Sequence, residues 1–181
     1  MKTETTVKLA EAVQRQVLFV DKMEKQLWIR SPVVGDTLQR GVDRYAKFLK
    51  LFKWYPDTML VPTLDIDLAW HTHQCSPSQY LAGTKELAGR FIDHNDKIGK
   101  SNLDDGMEKT KQLFRIRFGH EYVICNCWDC EAILSAVTKL TRDGGDESKM
   151  DAIAGQVSQD VAYYRAVEVA RRAQKPLPVR R

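Results

Sequence analysis

Long apolar runs are missing from this chain of 181 residues. Nothing approaches the ~18 consecutive apolar residues that a membrane-spanning helix needs. The opening Met1-Lys-Thr-Glu-Thr-Thr6 is polar, with no signal-type apolar block behind it. The chain is therefore expected to be cytoplasmic, with no membrane partner. Cysteine is scarce, four in all. In a reducing compartment these are expected to be free thiols, and a chain of this length buries enough surface to need no disulfide. Glycine and proline, at ten and six, are scattered rather than repeated, so low-complexity and repeat architectures are excluded. Sustained alternation of apolar and polar residues is also lacking, which removes the case for strands. No GxxxxGK loop, GxSxG elbow or HExxH helix occurs, so nucleotide hydrolysis, serine esterase chemistry and the common zinc protease pattern are not expected.

What is present predicts an all-α protein: a single helical domain spanning 1–181, a bundle with a Cys-rich loop. Leu9, Val13, Val17, Val20 and Leu27 recur at helical spacing, predicting a helix over about 5–29 with an inward-facing apolar stripe that Ser31-Pro32 stops. Leu38, Val42, Tyr45, Leu49 and Phe52 predict a second, ending at Pro56. Thr63 is placed to cap a helix over 64–73, with Asp65 and Asp67 near its positive end. Ser76-Pro77-Ser78-Gln79 reads as a capping box opening a helix toward Gly89. Further helices are predicted over 104–118, closed by Gly119, over 131–140, and from about 146 until Pro176 and Pro178 intervene. The formal charge of +4 comes from the last seventeen residues, where six Lys and Arg face Glu168 alone. This basic tail, at about 171–181, is expected to be a solvated end, and a nucleic-acid partner is not expected from it.

Two concentrations carry chemistry. Asp65-Ile-Asp67-Leu-Ala-Trp70-His71-Thr-His73 holds two of the only four histidines, and Cys125-Asn-Cys127-Trp-Asp-Cys130 holds three of the four cysteines. Imidazole, carboxylate and thiolate are the ligands of transition metals, which puts His71, His73, His94, Asp67, Cys125, Cys127 and Cys130 forward as metal ligands. On a helix Asp67 and His71 share a face, while His71 and His73 differ by about 200° and point apart. An extended backbone over 125–127 would let Cys125 join Cys127 and Cys130. A fourth ligand would then come from elsewhere, His120 being near in sequence. The plainer readings are helix-end or core histidines, a core Trp70, Asp65 as a first-turn acid, and cysteines packed as small hydrophobes beside Trp128.

The run Val61 to Tyr80, followed by Gly89-Arg-Phe-Ile-Asp-His94-Asn-Asp-Lys97 and Cys125 to Ala132, resembles the glycine-rich domain-containing protein family of plants and fungi, more closely its fungal branch. The likeness extends from about Val7 to Leu140. Matched residue by residue, it covers Asp65, Trp70, His71, His73, His94, Cys125, Cys127 and Cys130; His120 and Cys75 fall outside it, and the glycine-rich tail that names the family is absent. The resemblance implies roles associated with development, stress and RNA for plant members, and an oxygenase label for fungal ones.

Two functions follow as expectations. In the first, His71, His73 and His94, or Asp67 in place of one, hold an ion with an open position, and the cysteines form a structural site. Zinc is the first cofactor, giving hydrolysis or hydration of a small-molecule substrate; iron or copper are alternatives, and two histidines with one carboxylate suit iron and oxygen chemistry. In the second, one structural zinc supports a non-catalytic module that binds protein or nucleic acid.

Overall fold

The computed structural model describes residues 4–95, 98–145, 148 and 150–180. Among them the regular structure is helical and no strand occurs, so the protein is all-α. Among the described residues seven α-helices follow one another: α1 (Glu4–Lys25), α2 (Val34–Trp54), α3 (Leu64–Gln74), α4 (Pro77–Ala88), α5 (Lys100–Phe118), α6 (Trp128–Arg142) and α7 (Met150–Arg172), with a 3-10 turn over Trp28–Arg30 between the first two. No described helix is long and apolar enough to cross a membrane. The chain divides into two compact units, Leu38–Cys125, and Met1–Thr37 together with Asn126–Arg181.

The unit of residues 38–125 is organised by aromatic residues. Tyr45, Phe48 and Leu49 of α2 pack with Ile66 and Trp70 of α3, Tyr80 of α4, and Leu113 and Phe114 of α5. The predicted stripe of α2 packs inward over its second half, at Tyr45, Leu49 and Phe52, but not over its first. Leu38 and Val42 are exposed, whereas Thr37, Gly41 and Tyr45 are buried. At Gly41 a Cβ would lie in ordinary contact, 3.4 Å from the Asp65 carbonyl, which shows how directly α3 rests on this face. Helix α5 starts a turn earlier than the predicted 104, and its Ile116 lies outward at 73% exposure while Leu113 and Phe114 are sealed. Helices α4 and α5 end where expected, on Gly89 and Gly119, whose φ of 76° and 68° lie in the left-handed region that glycine adopts without strain.

In the other unit α6 packs on α7, and α7 on the 3-10 turn. Helix α1 does not run to 29: it ends at Lys25, Leu27 turns left-handed with φ 55°, and Trp28 is thereby carried inward to 2% exposure. The apolar stripe expected to face a core is exposed, with Leu9, Val13, Val17 and Val20 each more than half accessible; Met23 is the buried residue of α1. The basic end is not simply solvated. Arg172 donates to Glu168 at 2.8 Å and to the Glu24 carbonyl at 2.9 Å, Arg165 pairs with Asp129 at 2.6 Å, and Arg180 pairs with Asp160. Helix α6 begins at Trp128 rather than 131, which puts Cys130 in its first turn. The predicted start of the last helix at 146 lies outside the described residues.

Candidate metal centre

Helix α3 is anchored at its N-terminus by a side chain the sequence did not single out. Arg44 of α2 donates through Nε to Asp65 Oδ2 at 2.6 Å, and through Nη2 to Thr63 Oγ1 at 3.1 Å and the Tyr122 carbonyl at 2.7 Å. Its guanidinium lies 5.8 and 5.7 Å from the ring centres of Phe114 and Tyr122. Asp65 is thus one half of a buried ion pair rather than only a first-turn acid. Thr63 stands at the cap position in extended conformation, but its hydroxyl donates to Asp65 Oδ1 at 2.6 Å instead of capping, and its carbonyl takes the Asp67 N–H at 2.8 Å. Ser76 likewise occupies the cap position of α4, with Pro77 next, and makes no side-chain capping bond.

One turn into α3, Asp67 and His71 share a face as helical spacing requires, and His94 reaches the same point from the segment after α4. The Asp67 Oδ1 atom lies 2.9 Å from His94 Nε2 and 3.5 Å from His71 Nε2. The two imidazoles meet edge to face, with centres 4.6 Å apart. Together the three residues offer ligand atoms all within 4.8 Å of one another. Burial alone would push the Asp67 carboxyl up, but hydrogen bonds and charge from His71 and His94 outweigh it and hold the group below its ordinary range. The two carboxylate–imidazole separations are of the size found between ligands of one ion. Ligands about 2.1 Å from one centre lie roughly 3.0 Å apart at right angles and roughly 3.4 Å apart in a tetrahedron.

His94 is placed by a chain of hydrogen bonds. The Trp70 indole donates to the Tyr80 hydroxyl at 2.7 Å, and that hydroxyl donates to the Ile92 carbonyl at 2.6 Å. Two residues on, the His94 ring lies edge-on to Trp70, with centres 4.6 Å apart. Trp70, plainly a core residue, therefore also sets where the third ligand stands. His73 does not join the cluster. It points to the opposite side of α3, where Nδ1 pairs with the Tyr45 hydroxyl at 3.1 Å and the ring packs edge-on against Tyr45 and Tyr80. A Cβ at Gly83 would fall 2.9 Å from His73 Cε1, so that glycine makes room for the imidazole.

Cys125 and Cys127 lie in the irregular stretch before α6, Cys127 extended at φ −73° and ψ 157°, and Cys130 lies in the first turn. Their sulfurs are exposed and gather within 4.8 Å of one another. Among the described residues neither His120 nor another His, Cys, Asp or Glu completes a four-ligand set with them. His94 has a second neighbour: a cavity of about 530 Å³, walled by Phe52, Leu60, Val61, Trp70 and Leu103 with Asp93 at its edge. The sequence offered no sign of it, because its walls come from five separate segments.

Comparison with known proteins reaches the same region. The chain is 38% identical over 127 residues to glycine-rich domain-containing protein 1 of Arabidopsis thaliana and 34% identical over 127 residues to glycine-rich domain-containing protein 2 of the same plant. Each match covers 65% of this chain but only 15% and 16% of those longer proteins. No solved structure matches. The model of the glycine-rich domain-containing protein-like family matches residues 1–83, the segment holding α2, α3 and the Asp67–His71 face. Over that segment the chain is similar to the glycine-rich domain-containing protein-like family.

Proposed function

We propose that this protein is a metal-dependent enzyme whose centre is held by Asp67, His71 and His94. The observation that carries the reading is the convergence of their three ligand atoms within 4.8 Å from a helix face and a separate loop. Two imidazoles and one carboxylate form the donor set of non-haem iron sites, so iron and oxygen chemistry come first here, with zinc-supported hydrolysis or hydration second. Such an ion supplies Lewis acidity and open coordination positions when bound. The chain's own residues do the rest. Asp67 contributes charge and a fixed oxygen, and the Trp70–Tyr80–Ile92 chain orients His94. A small molecule entering beside His94 leaves bulk water for an apolar wall. The cysteine cluster suits zinc in a structural role, in a compartment such as the cytoplasm that keeps thiols reduced.

Metal analysis of the purified chain tests this. His71→Ala and His94→Ala are expected to lose about one equivalent of transition metal each while keeping their far-UV circular dichroism, and Cys127→Ser to lose zinc and melting temperature instead. Metal content unchanged in both histidine variants overturns the enzyme centre. The exposure of the three thiols favours the second reading, a non-catalytic module with one structural zinc, if only the cysteine variant loses metal.

A further inference from the structure

We propose that the cavity beside His94 is a binding site for a small aromatic molecule bearing a hydrogen-bond donor, of the indole or phenol class. This adds a substrate class to the metal reading, on which it rests for chemistry though not for binding. The volume of about 530 Å³ lies within the range of small-ligand sites. Two aromatic side chains of the wall, Phe52 and Trp70, stand nearly perpendicular with centres 5.9 Å apart, and Leu60, Val61 and Leu103 add aliphatic surface. An aromatic guest gains most from such walls, since rings pack favourably edge-on or offset against other rings.

The walls are already built. The Val61 N–H donates to Thr110 Oγ1 at 2.9 Å, and the Val61 carbonyl accepts from the Tyr122 hydroxyl at 2.8 Å. Next to the lining residues Asp93 and His94, the Ile92 carbonyl is held by Tyr80. At Gly106 of α5 a Cβ would come within 2.8 Å of Val61 Cγ2, so the absent side chain lets this wall lie close on the helix. A guest therefore meets, at Val61, a wall whose main-chain groups are already satisfied.

The polar lining sets the class. Without a bound ion, the charged group among the described lining residues that opposes an anionic guest is the Asp93 carboxylate, and none of those residues is a lysine or arginine. Asp93 offers acceptor oxygens alone, and Asn102 and Thr58 can accept as well as donate, which suits an N–H or O–H at the end of an apolar ring.

The test is calorimetric titration of the full chain, stripped of metal by a chelator, with indole and, separately, with benzoate, an anion of similar size. Indole is expected to bind and benzoate to bind at least about ten-fold more weakly. Leu103→Trp, or Asn102→Trp if the first variant does not fold, should fill the cavity and weaken indole by about ten-fold or more, with metal content unchanged. Absence of indole binding, equal affinity for benzoate, or indole affinity untouched in the folded variants overturns the assignment. The two readings fail separately: indole binding by a chain that takes up no transition metal upholds the cavity and rejects the metal centre, and metal loading without indole binding does the reverse.

Discussion

Arg44 is the residue on which the start of α3 depends. Its partner Asp65 is buried, and so is most of the guanidinium, at 12% side-chain exposure. Removing one member of such a pair strands the other charge in low dielectric. Arg44→Met is expected to cost about 3–5 kcal/mol in urea unfolding. The double variant Arg44→Met with Asp65→Asn should lose less than the two single losses combined, because no full charge is then stranded. Buried phenols make a second residue-scale contribution. Burial pushes the Tyr122 and Tyr45 hydroxyls well above the ordinary tyrosine value of 10.0, so the folded chain keeps protons that the unfolded chain releases. Their stabilisation is complete below pH 10 and is lost as pH rises beyond it. Tyr122→Phe should flatten that alkaline loss by about 1.4 kcal/mol per pH unit per proton, measured by unfolding at several pH values. An identical slope in the variant contradicts the burial argument.

Helices illustrate how far periodicity reaches. The position of α3, the shared face of Asp67 and His71, and the opposed direction of His73 all follow from 3.6 residues per turn, and all three hold. Periodicity does not say which face is covered. In α1 the aliphatic stripe is exposed while Met23 and the neighbouring Trp28 go inward, and in α2 the buried face runs through Thr37 and Gly41. A stripe is evidence of amphipathicity, but the covering surface has to come from elsewhere in the chain. Val13, 60% exposed on α1, provides the check. Val13→Lys should change unfolding free energy by less than ~0.5 kcal/mol, whereas a loss of several kcal/mol would show that the stripe is packed.

At the scale of the molecule, the cluster joins α3 to the 91–95 segment, parts of the chain well separated in sequence, so an ion there should also act as a clamp. Binding to the folded state alone contributes about 4 kcal/mol when free metal exceeds its Kd 1,000-fold. Under the metal reading, chelation is therefore expected to lower the thermal midpoint by roughly 8 °C or more, and readdition of iron or zinc to restore it. A midpoint indifferent to chelator would count against both metal sites. The family match over residues 1–83 covers Asp67 and His71 but stops before His94 and the cysteines, so the ligand set is completed outside that segment.

Composition and periodicity by themselves determined an all-helical chain, most helix ends, the pairing of Asp67 with His71 and the local gathering of three thiols. Each of these is decided within a few residues by backbone geometry, by glycine at a left-handed end or by the missing N–H of proline. Tertiary structure alone decided that His94 and not His73 completes the cluster, that Arg44 neutralises Asp65, and that a cavity opens beside Trp70. Those outcomes depend on which surfaces meet across loops, where contact is governed by packing and by the need to pair every buried polar group.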